Sequence, residues 1–148
     1  MIPQELQERY QSIQQLQSRD GAETNIWLTQ DLVSHHQVVI KLSRRNRMPA
    51  PALVRLLQQR QSAGTTIPLS LPLAHGQTND GRWYEVNPFY PAGSLAGQSE
   101  RGHDEVQLED LVKQMVSALV ILHEQIPGGP VVHGDIKPSN ILESAHAV

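Results

Sequence analysis

Residues 131–142 read Val131-Val132-His133-Gly134-Asp135-Ile136-Lys137-Pro138-Ser139-Asn140-Ile141-Leu142. A carboxylate, an ammonium and an amide stand close together in a polar segment flanked on each side by an apolar pair. That set suits phosphoryl transfer. Asp135 can accept or orient a hydroxyl proton, and Lys137 can offset charge on phosphoryl oxygens. The amide oxygen of Asn140 is a hard donor of the kind Mg²⁺ takes. The competing reading is an ordinary capped turn, because Asp, Pro, Ser and Asn are all turn formers. The segment itself reads as a short strand, a polar loop and a second strand, with His133 bracing the loop backbone.

Working outward, residues 106–124 form the clearest helical pattern in the chain. Leu108, Leu111, Val112, Met115, Leu119 and Leu122 recur at helical spacing. "PGGP" (127–130) is expected to end that helix, and His123 to pack at its last turn. Upstream, "NPFYPAGS" (87–94) holds two prolines and a glycine and reads as a break between two parts of the chain. "HGQTNDGRWYEV" (75–86) reads as a hairpin turning at Asp80-Gly81, and "IPLSLPLAHG" (67–76) as an extended segment. Pro49 and Pro51 suit the first turn of a helix striped by Leu53, Leu56 and Leu57 and ended by Gly64. "QVVIKL" (37–42) and "IWLTQ" (26–30) read as strands joined by a turn. In the first of these Val38, Ile40 and Leu42 share one face, and Val39 and Lys41 the other. Trp27 and Trp83 are expected in or beside this sheet. "YQSIQQL" (10–16) stays ambiguous, because the spacing of Leu6, Tyr10, Ile13 and Leu16 also fits a helix.

The composition narrows the function classes. A chain of 148 residues is long enough for a real core. It has no cysteine, which excludes disulfides and thiolate metal sites. No apolar run is long enough to span a membrane, and the charged N-terminus "MIPQELQERY" does not resemble a secretory signal, so a cytoplasmic location is expected. The net charge of −3 favours no partner class. Arg44-Arg45-Asn46-Arg47 is a short basic run that reads as a solvated loop, so no nucleic-acid partner is expected. His35-His36 reads as a solvated pair rather than a metal site.

"HGDIKPSNIL" (133–142) resembles the catalytic loop of the protein kinase superfamily, H-R-D-L-x-x-x-N. Four flanking stretches resemble the same family in order. "VVIK" (38–41) is similar to its V-A-I-K strand, "GRWYEVNPFYPAGSL" (81–95) to the last strand and hinge joining two lobes, and "LVKQMVSALVILHE" (111–124) to the helix before the catalytic loop. "RYQSIQQLQSRDGAETNIWL" (9–28) is similar to the first two strands and the phosphate loop, which makes Tyr10 to Leu16 a strand. The resemblance implies an α+β fold: residues 1–90 as a small antiparallel β-sheet lobe with one helix plus the hinge, and 91–148 as the start of a helical lobe. It implies ATP and Mg²⁺ as cofactors. Asp135 becomes the catalytic base, Lys137 the group assisting transfer and Asn140 the metal ligand. Lys41, Val39 and Gly21 would meet the nucleotide, with backbone groups of Pro88 and Tyr90 at the adenine edge.

The departures are equally specific. The phosphate loop keeps only Gly21 where the family has G-x-G-x-x-G. No acidic residue lies between Lys41 and Asp80 to supply the lysine's usual helix glutamate; that helix offers Arg55, Gln58 and Gln59. Gly134 replaces the arginine of H-R-D, and "ESAHAV" follows the loop without a D-F-G. Three functions follow. The first is a serine/threonine protein kinase of the bacterial eukaryotic-like type, acting on a protein substrate, with these 148 residues alone inactive or very weak. The second is a pseudokinase that binds a regulatory protein. The third is a small-molecule phosphotransferase of the aminoglycoside kinase type, which shares "HGD". An uncovered apolar face on helix 106–124 would favour self-association.

Overall fold

A computed structural model describes residues 1–17, 24–45, 69–98, 105–125 and 129–142. They form two units, one from Met1–Ala50 and Leu71–Phe89, the other from Pro51–Ser70 and Tyr90–Val148.

The first unit is a five-stranded antiparallel sheet: β1 (Tyr10–Gln17), β2 (Thr24–Asp31), β3 (Gln37–Arg45), β4 (Ala74–Gln77) and β5 (Arg82–Pro88), in the order β1-β2-β3-β5-β4. Alternation decides its faces. Val38, Ile40 and Leu42 are buried on β3 beside Trp27 of β2 and Val86 of β5, while Lys41 is exposed on the opposite face. Trp83 lies on β5 and is half-buried. The β4–β5 hairpin turns where Asp80-Gly81 predicts, with Gly81 at φ +83°. Gly76 is required for a different reason. A Cβ there would lie 2.7 Å from the hydroxyl of Tyr84, which stands directly across the strand pair.

β1 is a strand, and its misleading three-residue spacing has a cause. Register slips between Ser12 and Gln14 and between Gln15 and Gln17 insert Ile13 and Leu16 as extra residues opposite β2. Each bulge converts a two-residue repeat into three. Both inserted side chains are exposed on an edge strand.

The chain before β1 supplies part of the core. A single 3-10 turn at Gln4–Leu6 carries Ile2 and Leu6 onto the buried face, where they join Tyr10, Trp27 and Ile40. Polar links hold this strap, among them the N–H of Leu32 on the carbonyl of Arg9 at 2.8 Å. Asn79 donates its N–H to Glu5 Oε1 at 2.7 Å, and Arg9 donates two hydrogen bonds to Asp31 at 3.0 and 3.3 Å. Asp31 is almost inaccessible to solvent and also accepts the N–H of Val33. The Arg9 guanidinium holds its carboxyl well below the usual range, at about 2. At the far side of the sheet β5 runs further than the sequence suggests. Pro88 pairs with Val38 and ends the strand, so the break expected from residue 87 onward starts only after it.

In the second unit, α1 (Glu105–Glu124) follows the expected helix within one residue. Its apolar stripe divides in two. Ala118 and Leu122 are buried and Leu111, Met115 and Leu119 partly so, whereas Leu108, Val112, Val116 and Val120 form an exposed row at four-residue spacing. His123 is exposed, not packed. The short strand expected at the start of residues 131–142 is not formed. Val131 donates its N–H to the carbonyl of Leu122 and so caps α1, and Gly134 takes φ +74°, which extended pairing does not allow. The second expected strand reduces to one bridge between Leu142 and Ser94.

Several expectations fall outside the described residues: Gly21, the helix at 49–64, Asn46 and Arg47 of the basic run, Pro127 and Gly128 of the helix-ending segment, and residues 143–148. Among the described residues no helix is long and apolar enough to cross a membrane.

Candidate functional site

The second unit gathers Asp135, Lys137 and Asn140 into one cluster. Pro138 begins a 3-10 turn, Pro138–Asn140, in which the N–H of Asn140 returns to the carbonyl of Lys137 at 2.9 Å. Proline suits that first position because its missing N–H would have no partner there. The turn folds the Asn140 side chain back across the loop. Its Nδ2 donates to the backbone carbonyl of Asp135 and to Asp135 Oδ2, both at 2.8 Å. Lys137 Nζ lies 3.1 Å from the same Oδ2. His133 braces the loop as expected, its Nδ1 accepting the N–H of Asp135 at 3.3 Å. The loop is tied within its own unit to residues 94–95, through the N–H of Leu95 on the carbonyl of Ile141 and the Ser94–Leu142 bridge.

This geometry fixes the electrostatics. Lys137 first, and Asn140 second, hold the Asp135 carboxyl below its ordinary range. Asp135 is therefore a solvent-exposed, ionised carboxylate with Oδ2 engaged and Oδ1 unpartnered among the described residues. Because Asn140 commits its Nδ2 to Asp135, its amide oxygen is the atom left to meet a cation. Among the described residues no three His, Cys, Asp or Glu converge on one point. A hard cation at this loop would thus rely on one amide oxygen, at most one carboxylate and oxygens of a bound phosphate, a donor set that Mg²⁺ accepts.

The remaining sequence-predicted residues stand in the first unit or at its boundary. Lys41 and Val39 lie on β3, on the face opposite the core. Pro88 is the last residue of β5, and the Tyr90 carbonyl accepts the N–H of Gly93 at 3.0 Å. An open groove of about 460 Å³ runs between the β2–β3 turn and the end of β5, lined by His35, His36, Val38, Leu73, Pro88 and Phe89. Lys41 does not line it.

Two residues on the Lys41 face were not singled out from sequence. Asn87 stands directly opposite Val39, is buried, and its Nδ2 has no partner among the described residues. Glu85 stands directly opposite Lys41. Neither could be found locally, because β3 and β5 are neighbours in the sheet but separated in the chain by β4.

Comparison with known proteins gives a partial similarity. A stretch of 69 residues is 36% identical to a probable serine/threonine-protein kinase of Schizosaccharomyces pombe. The match covers 45% of this chain and 8% of that protein's length. No family model matches the chain.

Proposed function

We propose that this chain is a protein-kinase-like module of the serine/threonine type, built to hold ATP and to present Asp135 to the hydroxyl of a protein substrate. The cluster of Asp135, Lys137 and Asn140 is the observation that carries this reading. The partial similarity to a probable serine/threonine-protein kinase and the five-stranded antiparallel sheet are compatible with it. In the transfer, the substrate oxygen bonds to the γ-phosphorus, the bond to the β,γ-bridging oxygen breaks, and ADP leaves. Asp135 orients the hydroxyl and takes its proton. Lys137 offsets charge on the transferred group, and Lys41 of β3, with Val39 beside it, meets the nucleotide. Mg²⁺, held in part by Asn140, would neutralise phosphate charge.

The 148 residues by themselves are expected to bind nucleotide without efficient transfer. The only phenylalanine is Phe89, so the sequence holds no D-F-G aspartate, and no acidic residue follows Lys41 until Asp80. Positioning and electrostatics supply nearly all the catalysis in this chemistry, so 148 residues without a D-F-G carboxylate are expected to lose on the order of a thousandfold in rate. The lack of an acidic residue between Lys41 and Asp80 favours a second reading, a binding module that engages a regulatory protein without catalysis.

Calorimetric titration with Mg²⁺-ATP separates the outcomes. Binding that Lys41→Met weakens at least tenfold supports the proposal. Absence of binding at millimolar nucleotide overturns it and leaves the regulatory reading. Robust Asp135-dependent phosphorylation by residues 1–148 alone would refute the expected inactivity, and phosphorylation of a small alcohol but not of protein would refute the substrate class.

A further inference from the structure

In kinase-like nucleotide sites a carboxylate steadies the strand lysine, and the sequence places none between Lys41 and Asp80. The sheet supplies one from another direction. In the β3–β5 register Lys41 pairs with Glu85, between the Ile40–Val86 and Leu42–Tyr84 pairs. Residues directly opposite in an antiparallel pair have Cβ atoms about 4.5–5.5 Å apart and project from the same face. That face is fixed independently by burial. Ile40, Leu42 and Val86 fill the core, so Lys41 and Glu85 lie on the other side.

Both charges are uncommitted among the described residues. The ion pairs there join Arg9 to Asp31, Arg82 to Asp80, Lys113 to Glu109 and Lys137 to Asp135, and none involves Lys41 or Glu85. On its other side Glu85 pairs in register with His75 of β4. The carboxylate therefore sits in a cross-strand row between an ammonium and an imidazole, on one sheet. A strand-borne partner also has a property that a helix-borne one lacks: its distance from the lysine is set by backbone hydrogen bonds and needs no movement of a separate element.

We infer that Glu85 is the positioning residue for Lys41, replacing across the β3–β5 ladder the helix carboxylate that this sequence does not contain. The inference rests on the nucleotide-binding reading above. Glu85 is not assigned contact with the nucleotide; it acts by holding the Lys41 ammonium where phosphate oxygens can meet it.

The test is a double-mutant cycle on Mg²⁺-ATP affinity in the full chain, with Glu85→Gln, Lys41→Met and the pair, each checked for folding by circular dichroism. Glu85→Gln is expected to weaken binding about three- to tenfold, and to change it less than about twofold once Lys41 is replaced. A merely structural role would weaken both backgrounds equally. A zero-length carbodiimide cross-link in the unmutated protein gives a second readout that does not depend on any variant folding. Peptide mapping should find Lys41 joined to Glu85. Binding that depends on Lys41 while Glu85→Gln is silent or additive overturns this inference and leaves the proposed function standing; so does the absence of the cross-link. A wild-type chain that binds no nucleotide overturns both.

Discussion

Replacing Asp31 by asparagine probes how the N-terminal strap is held to the sheet. The Arg9 guanidinium, with help from the N–H of Val33, lowers the Asp31 carboxyl from its ordinary 3.8 to about 2. Taken at face value, that difference corresponds to roughly 2 kcal/mol of stability at neutral pH. The side chain of Arg9 is 53% exposed, so solvent screening reduces the figure. We expect about 1 kcal/mol. The sign follows from the direction of the shift. A carboxyl whose folded-state pKa is depressed contributes fully above its unfolded pKa, near about 4, and loses that contribution as pH falls toward about 2. Asparagine keeps the shape and can still accept the N–H of Val33, so the change removes chiefly the charge. Urea unfolding of both proteins at about pH 7, 4 and 2.5 should give a gap of about 1 kcal/mol at neutral pH that closes between about pH 4 and 2. A gap of equal size at neutral pH and at the acid end, or none at neutral pH, would refute this account of the Arg9–Asp31 pair.

Three other outcomes follow from the same structure. Leu6→Ala should destabilise the first unit by about 2–4 kcal/mol in denaturant melts, because it empties a buried position from the strap rather than the sheet; a cost near zero would mean the strap is not part of the core. Lys137→Met should raise the Asp135 carboxyl toward its ordinary value, and by more than Asn140→Ala does, in a carboxyl-carbon NMR titration, since Lys137 is the larger cause of its depression. Sedimentation at rising concentration should show self-association through the exposed row on α1, relieved by Val112→Glu; a wild-type chain that stays monomeric would contradict this.

What the sequence disclosed depended on how local each feature is. The β3 alternation, the Asp80-Gly81 turn and α1 are written in runs of neighbouring residues, and the structure contains all three. The Asp135–Asn140 cluster was legible for the same reason, since its members lie five residues apart and one 3-10 turn closes them together. Features set by pairing at a distance were not legible. The bulges of β1 are visible only against β2, and without them Tyr10, Ile13 and Leu16 imitate a helix. Ile2 and Leu6 enter the core from a turn too short to carry a periodic pattern. The two apolar rows of α1 look like one wide stripe until burial separates them. Glu85 stands opposite Lys41 in the β3–β5 ladder, which no count along the chain reveals.

The proposed function stands on Mg²⁺-ATP binding that requires Lys41. Mapping backbone amide shifts of the labelled chain during an Mg²⁺-ATP titration tests this most directly. Saturable shifts are expected to concentrate at Val39, Lys41, Tyr90 and residues 135–140, and to be lost in Lys41→Met. Shifts confined to other parts of the chain, or no saturable shift at millimolar nucleotide, would contradict it.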